Sequence, residues 1–359
     1  MKKTVQFKYP FRGCGRPQIV LIGNGLERKS GQVAWGTLVN NLTASNCIPF
    51  TDEEKKFIPF PLLYEAIILN RPIPAVLDSG EIKEEERRLK SEMEKLVSIS
   101  NDLLDELPML NADHVFTTNY SYCLEKAFFP KRSFISSNSR SSVRFNKMPL
   151  DENGKKKREV YYRLHSGYGA KNSNSTDVAI WHIHGEVGSS RGIVLGHDRY
   201  GRLLKRIIKK CSDLDYKDLN KKDKQYNFSS WPELFLFGDV YVIGFGFYQC
   251  EFDLWWLLRR KQREHYGDGR VYFYDKKITM KEPIKESSEI SNAIAEKKNK
   301  EIQSHNRSVQ ENNIRNKLLA AHGVQIIDFG SSNETSYDEF YKMAFSDIRE
   351  RIEKSRQSD

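Results

Sequence analysis

The sequence predicts an α/β fold: a Rossmann-type, doubly wound, mainly parallel sheet with an inserted small lobe and helical additions. Three observations predict it. Six short runs rich in Val, Ile, Phe and Tyr, at 18–23, 114–119, 179–184, 240–244, 271–275 and 324–329, have the length and composition of buried strands. Helical patterns separate most of them. Several of the runs stop at Gly, Asn, His or Asp, where an open parallel sheet presents its ligand crevice.

The elements follow in order. The first run ends in Gly23-Asn24-Gly25, a glycine-flanked turn. Residues 81–106 read as one long helix, with Leu89, Met93, Leu96, Leu103 and Leu104 near helical spacing on a charged background, closed by Pro108. The second run ends in Thr117-Thr118-Asn119. Residues 133–178 interrupt the alternation. They are serine-rich, carry the basic turn 153–158 and hold a hairpin strand at 160–164, which suggests a lobe over the sheet. The third run ends in His182-Ile183-His184-Gly185, and the fourth in Gly244-Phe245-Gly246. A helix is expected at 253–263, then a fifth strand ending at Asp275. Residues 276–316 are rich in Lys, Glu, Ser and Asn and read as a polar excursion. A last strand and an amphipathic helix, 324–354, complete one domain spanning 1–359.

Composition narrows the function. The chain has 359 residues, of which 38% are hydrophobic and 12% aromatic, enough for a large core and too much for a disordered protein. No apolar run is long enough to span a bilayer, and no apolar segment follows Lys2-Lys3. The five cysteines are scattered without a Cys-x-x-Cys pair, which argues against a zinc ribbon or a disulfide framework and for a reducing cytoplasm. A net charge of +10 suits an anionic ligand and is compatible with nucleic acid without requiring it.

Each strand end offers chemistry beside a plainer reading. Glycines at 23 and 25 let a backbone approach a phosphate, a following helix start supplies amide donors, and Arg28 supplies charge. The same residues also suit an ordinary strand-to-helix turn, because the third glycine of a dinucleotide fingerprint is missing. Asn119 can orient a water or a hydroxyl, or simply form a turn. His182 and His184 point to one face of an extended segment. His184 is the candidate proton acceptor in its neutral form, and His182 is read as structural. The His-x-His spacing, with His197 and Asp198 nearby, hints at metal, but no third and fourth ligands stand at a motif spacing, so none is expected. Gly244 and Gly246 can approach a ligand, Asp275 can bind ribose hydroxyls, and Glu251 and Asp253 read as helix-cap and packing groups. The pair Trp255-Trp256 reads as core or subunit interface.

Taken in order, Gly23-Asn24-Gly25 with Trp35, Thr117-Thr118-Asn119-Tyr120, His184-Gly185, Gly244-Phe245-Gly246 and Glu251-Phe252-Asp253-Leu254 resemble the sirtuin-like family, in particular its bacterial antiphage NAD-consuming branch. The resemblance implies NAD as substrate, with Asn119 and His184 as catalytic residues. It implies NAD binding by Gly23, Asn24, Gly25, Arg28, Thr118, Gly244, Gly246 and Asp275. The implied reaction splits NAD into nicotinamide and ADP-ribose. The implied setting is a regulated homo-oligomer in the cytoplasm, restrained by a partner such as a HerA-type ATPase or a phage sensor. Three departures stand out. The four-cysteine zinc module of deacylating sirtuins is missing, which disfavours deacylation; Gly23-Asn24-Gly25 stands in place of their Gly-Ala-Gly type loop; and Ser121 stands where the family often has Asp. The alternatives are a non-catalytic NAD- or ADP-ribose-binding regulatory subunit and, less favoured, a nucleic-acid-processing metalloenzyme.

Overall fold

The computed structural model describes residues 8–10, 16–30, 50–55, 57–69, 101–131, 134, 143–146, 164–171, 177–188, 192–212, 214, 225–264, 269–284, 292–329 and 335–357. Ten strands occur among them. Eight form one sheet: β2 (Gln18–Ile22), β3 (His114–Thr117), β4 (Arg144–Asn146), β5 (Ser166–Lys171), β6 (Asp177–His182), β8 (Asp239–Ile243), β9 (Val271–Lys276) and β10 (Val324–Phe329). Their spatial order is β10-β9-β8-β2-β3-β6-β5-β4. Every pair from β10 to β6 is parallel, and β5 and β4 close that edge antiparallel. β1 (Lys8–Pro10) and β7 (Gln225–Asn227) form a separate antiparallel pair. The fold is the expected α/β, Rossmann-like one, and all six predicted strands lie in its sheet.

Alternation along the strands gives each face of the sheet its own core. From β2, Val20 and Ile22 enter one cluster with Leu103, Leu104, Leu124, Phe345, Ile348 and Ile352. Ile19 and Leu21 enter the other, with Leu203, Ile207, Leu234, Leu254 and Leu258. Helices Cys123–Phe128 and Tyr337–Gln357 therefore cover the first face, and His197–Ser212, Trp231–Phe237 and Phe252–Glu264 the second. All five central residues of β2 and of β8 are buried, as strands covered on both sides must be. The C-terminal helix starts at a reciprocal capping box: Glu339 N donates to Ser336 Oγ at 3.2 Å, and Ser336 N donates to Glu339 Oε2 at 2.8 Å. No helix among the described residues is long and apolar enough to cross a membrane.

The long helix expected at 81–106 does not run unbroken to its predicted end. Asn101 is extended (φ −143°, ψ 164°), and its Oδ1 accepts from Leu103 N and Leu104 N at 3.0 Å each, starting a new short helix, Asp102–Asp105. An asparagine inside an apolar-periodic stretch acts as a cap because its side chain replaces the backbone partners a helix start lacks. Pro108 then lies in the first turn of a 3-10 helix, Leu107–Leu110, instead of after a helix end. Residues 81–100 lie outside the described residues. So do 160–163 of the expected hairpin strand, and the extended segment there begins at Ser166. Described parts of 133–178 supply the edge strands β4 and β5. Within 276–316, most of a 30-residue helix, Asn292–Ala321, presents a largely exposed surface. Trp255 and Trp256 pack half-buried against the second core.

One buried cation ties two helices on the second face. Lys261 Nζ donates to the carbonyls of Phe235, Leu236 and Gly238 at 2.9, 2.9 and 2.6 Å, capping the end of Trp231–Phe237. Burial pushes its pKa down to about 7, against the pull of Asp239. Three acceptors use all three ammonium hydrogens, so the charged form is the one that fits. Lys261→Met leaves those carbonyls without donors and is expected to cost about 2–4 kcal/mol, read as a lower urea midpoint. An unchanged midpoint would show the cap to be dispensable.

Candidate functional site

The carboxyl ends of β8, β2, β3 and β6 lie side by side, and four predicted segments meet there. Gly23 N donates to Ile243 O at 3.2 Å and Gly25 N to Gly244 O at 2.8 Å, so the first and fourth glycine turns are bonded directly together. A Cβ on Gly25 would lie 2.8 Å from Gly244 Cα and 2.6 Å from Tyr341 Oη. Gly244 itself has φ +64°. These glycines are required first by backbone-on-backbone packing. Asn24 O accepts from Arg28 N at 3.1 Å, and the helix start expected there is the 3-10 turn Glu27–Ser30, with residues 31–49 outside the described residues. Arg28 is exposed, and its charge acts on the Tyr341 hydroxyl. Thr118 is buried, with its N donating to Ile22 O at 3.3 Å.

Asn119 sits one residue further on, 3% exposed. Its Nδ2 donates to Gly23 O at 3.1 Å and to Glu27 Oε1 at 2.8 Å. Ser121 Oγ donates to the other carboxylate oxygen, Glu27 Oε2, at 2.7 Å. Both amide hydrogens face acceptors, so the side chain can point only one way. Its Oδ1 is buried and, among the described residues, has no hydrogen-bond partner. An orphaned buried acceptor costs about 1–3 kcal/mol unless something donates to it. Burial raises the Glu27 pKa, while the bonds from Ser121 and Asn119 lower it. The backbone of Asn119 is held as firmly: its N donates to Thr117 Oγ1 at 3.0 Å, and its carbonyl accepts from His182 Nδ1 at 2.8 Å. His182 Nε2 meets Glu125 Oε1 at 2.6 Å, so His182 is a satisfied core histidine, as expected. Burial disfavours its charge, but Glu125 outweighs burial and raises its pKa.

His184 follows β6, which pairs with β3 in register Thr117↔His182. The segments beyond are stitched together: Val194 N donates to His184 O at 2.8 Å and Tyr120 Oη to Val194 O at 2.6 Å. The His184 side chain turns toward the start of helix Phe252–Glu264. Its Nε2 lies 2.9 Å from Asp253 Oδ2, and its Nδ1 3.6 Å from Glu251 Oε2. Tyr200 Oη donates to the same Glu251 oxygen at 2.9 Å. Burial opposes the imidazolium, yet Asp253 and Glu251 together raise the His184 pKa above its usual value. Glu251 is pushed up to about 7, mainly by burial and then by Asp253, against the pull of His184. His184 and Glu251 therefore favour each other's charged form across the 3.6 Å Nδ1–Oε2 contact.

This differs from the sequence expectation in two ways. The expected resting form of His184 was neutral, whereas two buried carboxylates favour the charged ring. Glu251 and Asp253, read as cap and packing groups, are its partners. Asp253 does occupy the helix's first turn, but its side chain turns inward and is wholly buried. The same three residues bring ligand atoms within 4.8 Å of one another, so they could hold a cation, without His182, whose ring nitrogens face Asn119 O and Glu125 Oε1. Asp253 at hydrogen-bond distance from Nε2 fits a proton between them better than a metal. His197 and Asp198 do not join: His197 packs edge-on against Phe252, and Asp198 pairs with Arg202.

Asp275 is apart from these groups. It lies one residue before the end of β9, with β8 and β2 between it and β3, and its Oδ2 is held by Arg315 Nη2 at 2.6 Å and Asn316 Nδ2 at 2.7 Å. It borders a cavity of about 400 Å³ shared with Lys277, Thr279, Asn312 and Asp328. Gly246 lies in the turn after β8, against the Tyr248 ring. The structure thus gathers Gly23, Asn24, Gly25, Thr118, Asn119 and Gly244 at one strand-end cluster, sets His184 at the adjacent strand end, and leaves Asp275 at the flank. Sequence reasoning missed Glu27, Glu251 and Asp253 as partners.

The family model for the SIR2-like domain matches residues 113–327, more than half of the chain. The chain belongs to the SIR2-like family. No curated protein matches it significantly. SIR2-like domains are NAD-dependent. The matched span of this SIR2-like protein contains Asn119, His184, Gly244, Glu251 and Asp253, while the glycine turn at 23–25 lies before it and joins through β2, between β8 and β3. Among these residues the Asn119 Oδ1 can accept from a ligand's hydrogen-bond donor, and Arg28 is exposed beside the glycine turn.

Proposed function

We propose that this SIR2-like protein is an NAD glycohydrolase that releases nicotinamide and ADP-ribose, and that it acts as a regulated effector of antiphage defence. The observation that carries the reading is the Asn119 amide, whose two donors are taken by Gly23 and Glu27 so that its bare oxygen awaits a donor. A ribose hydroxyl or an attacking water supplies that donor. In the reaction the bond between the ribose anomeric carbon and the nicotinamide nitrogen breaks, and its electron pair leaves with a neutral ring. Water adds to the carbon and gives up a proton. Asn119 orients the hydroxyl or the water, and His184, once it has shed its own proton, accepts the one released. Positioning and fixed dipoles supply most of the acceleration.

A second reading, a non-catalytic NAD- or ADP-ribose-binding subunit, draws on the burial of Asn119 and His184, which are 3% and 2% exposed. The glycohydrolase reading takes the same burial as latency, relieved by oligomerisation or by a partner such as a HerA-type ATPase or a phage sensor. Purified protein, alone and with candidate activators, is expected to release nicotinamide from NAD in a chromatographic assay. Binding of NAD by calorimetry with no release under any activator would favour the second reading and overturn the first.

A further inference from the structure

The Asn119 amide could take two orientations, and a backbone carbonyl and a side-chain carboxylate both select the same one. Gly23 O takes one Nδ2 hydrogen at 3.1 Å. The second hydrogen goes to a carboxylate 92 positions earlier in the chain, at the shorter distance of 2.8 Å. We propose that Glu27 is a positioning residue for the NAD-cleaving site: with Ser121 as its anchor, it fixes the Asn119 amide so that Oδ1 is presented to the substrate. The proposal rests on the glycohydrolase reading for its kinetic consequence, but the orientation itself can be tested without turnover.

The geometry gives Glu27 few other tasks. Both of its oxygens are engaged, one by Asn119 and one by Ser121 Oγ at 2.7 Å. It is 2% exposed, so water does not compete for those bonds. A buried carboxylate that spends both oxygens on neutral donors carries a desolvation cost that an apolar side chain in its place would avoid. What it gains is a charge-assisted bond that locks a neighbouring amide. Were Asn119 reversed, its Oδ1 would face the Gly23 carbonyl and the Glu27 carboxylate, acceptor against acceptor. Burial raises the Glu27 pKa, and the hydrogen bonds from Ser121 and Asn119 pull it back down.

The test uses the full chain and four variants. Glu27→Gln keeps the shape: its amide oxygen can accept from Asn119 and its amide nitrogen can donate to Ser121, so orientation and turnover are expected within about threefold of wild type. Glu27→Leu removes both acceptors, and kcat is expected to fall about 100-fold with KM for NAD little changed. The double variant Glu27→Leu/Asn119→Ala is expected to be no slower than Asn119→Ala alone, because Glu27 acts through Asn119. A merely structural Glu27 would instead give additive losses and no rescue by Gln, and either result overturns the proposal. Orientation is read separately by NMR on protein labelled with [¹⁵N]asparagine. The Asn119 side-chain amide, assigned by its loss in Asn119→Ala, should be protected from solvent exchange in wild type and Glu27→Gln and unprotected in Glu27→Leu. If wild type releases no nicotinamide but binds NAD, the same cycle is run on NAD affinity. That outcome removes the glycohydrolase reading while still deciding whether Glu27 sets the amide. Protection unchanged in Glu27→Leu overturns the proposal whatever the turnover.

Discussion

Asn119→Ala is expected to lower nicotinamide release by about two to three orders of magnitude at saturating NAD. The side chain is buried, its donors are spent within the protein, and its one atom without a partner among the described residues is an acceptor at the carboxyl edge of a parallel sheet. Removing it deletes the group that orients a hydroxyl or water, and orientation is where a reaction with a neutral leaving group gains most. The fold should tolerate the change, because the two acceptors left behind are a backbone carbonyl that a water can reach through the vacated volume and a carboxylate still bonded to Ser121. Asn119→Asp makes a sharper comparison. It puts a carboxylate at hydrogen-bond distance from Glu27 in a buried site, where two like charges force one to keep its proton. That variant is expected to lose both activity and stability, with part of each recovered in Asn119→Asp/Glu27→Gln. Full turnover by Asn119→Ala, measured per folded molecule, would remove Asn119 from the mechanism.

The framework of the site could be read in the sequence because it is local. A buried strand needs only a short apolar run, and a strand end needs only the residue that breaks it. Gln18–Ile22 before Gly23, His114–Thr117 before Asn119 and Asp177–His182 before His184 all carry both signals within a few positions. Helix limits were less legible where one polar residue changes the backbone's partners: Asn101 looks like an exposed helical position until its Oδ1 is seen capping Leu103 and Leu104. The partners of the site were hidden for a different reason. Glu27 lies 92 residues from Asn119, and Asp253 69 residues from His184, so each pairing depends on strand order and on no spacing within the chain. A weak signal existed for the second pair, since Glu251 and Asp253 stand among Cys250, Phe252 and Leu254, a context in which a carboxylate needs a buried partner. For Glu27 there was none, because an acid after a glycine turn also suits the start of a helix. Asp275, a strand-end acid that suggested ribose, has partners equally hidden in the sequence, since Arg315 and Asn316 come to it from a helix about 40 residues on.

The carboxylates around His184 make its protonation, and so the pH profile, the second large effect. The direction follows from what faces the ring: Asp253 on Nε2, Glu251 on Nδ1, and the neutral hydroxyl of Tyr200 bonded to Glu251. Tyr200 and Tyr120, whose pKa values burial raises far above the usual phenol, and Cys250, whose thiol burial pushes up to about 12, stay uncharged throughout the relevant range. A base must be deprotonated to act, so activity should rise with pH through the raised His184 value. Asp253→Asn replaces a charge by an amide of the same shape, lowers the His184 pKa, and is expected to move the acid limb of kcat/KM down by about one to two units. Stability should respond with the opposite trend in pH. A histidine whose folded pKa exceeds its unfolded one stabilises fully below the unfolded value and loses that contribution as pH rises through the folded one. Glu251, held near 7, acts in the same sense: it keeps a proton in the folded state that the unfolded chain has already released, so its contribution also declines as pH climbs from the ordinary carboxylate range to about 7. Wild type should therefore weaken from about pH 5 to pH 8, whereas Asp253→Asn should be about 2–4 kcal/mol less stable at the acid end, with a flatter profile and a gap that closes toward pH 8. Urea denaturation across that range, beside kcat/KM profiles for both proteins, checks both directions at once. An acid limb that stays in place while the stability gap appears would leave the His184–Asp253 pair structural and move the base elsewhere.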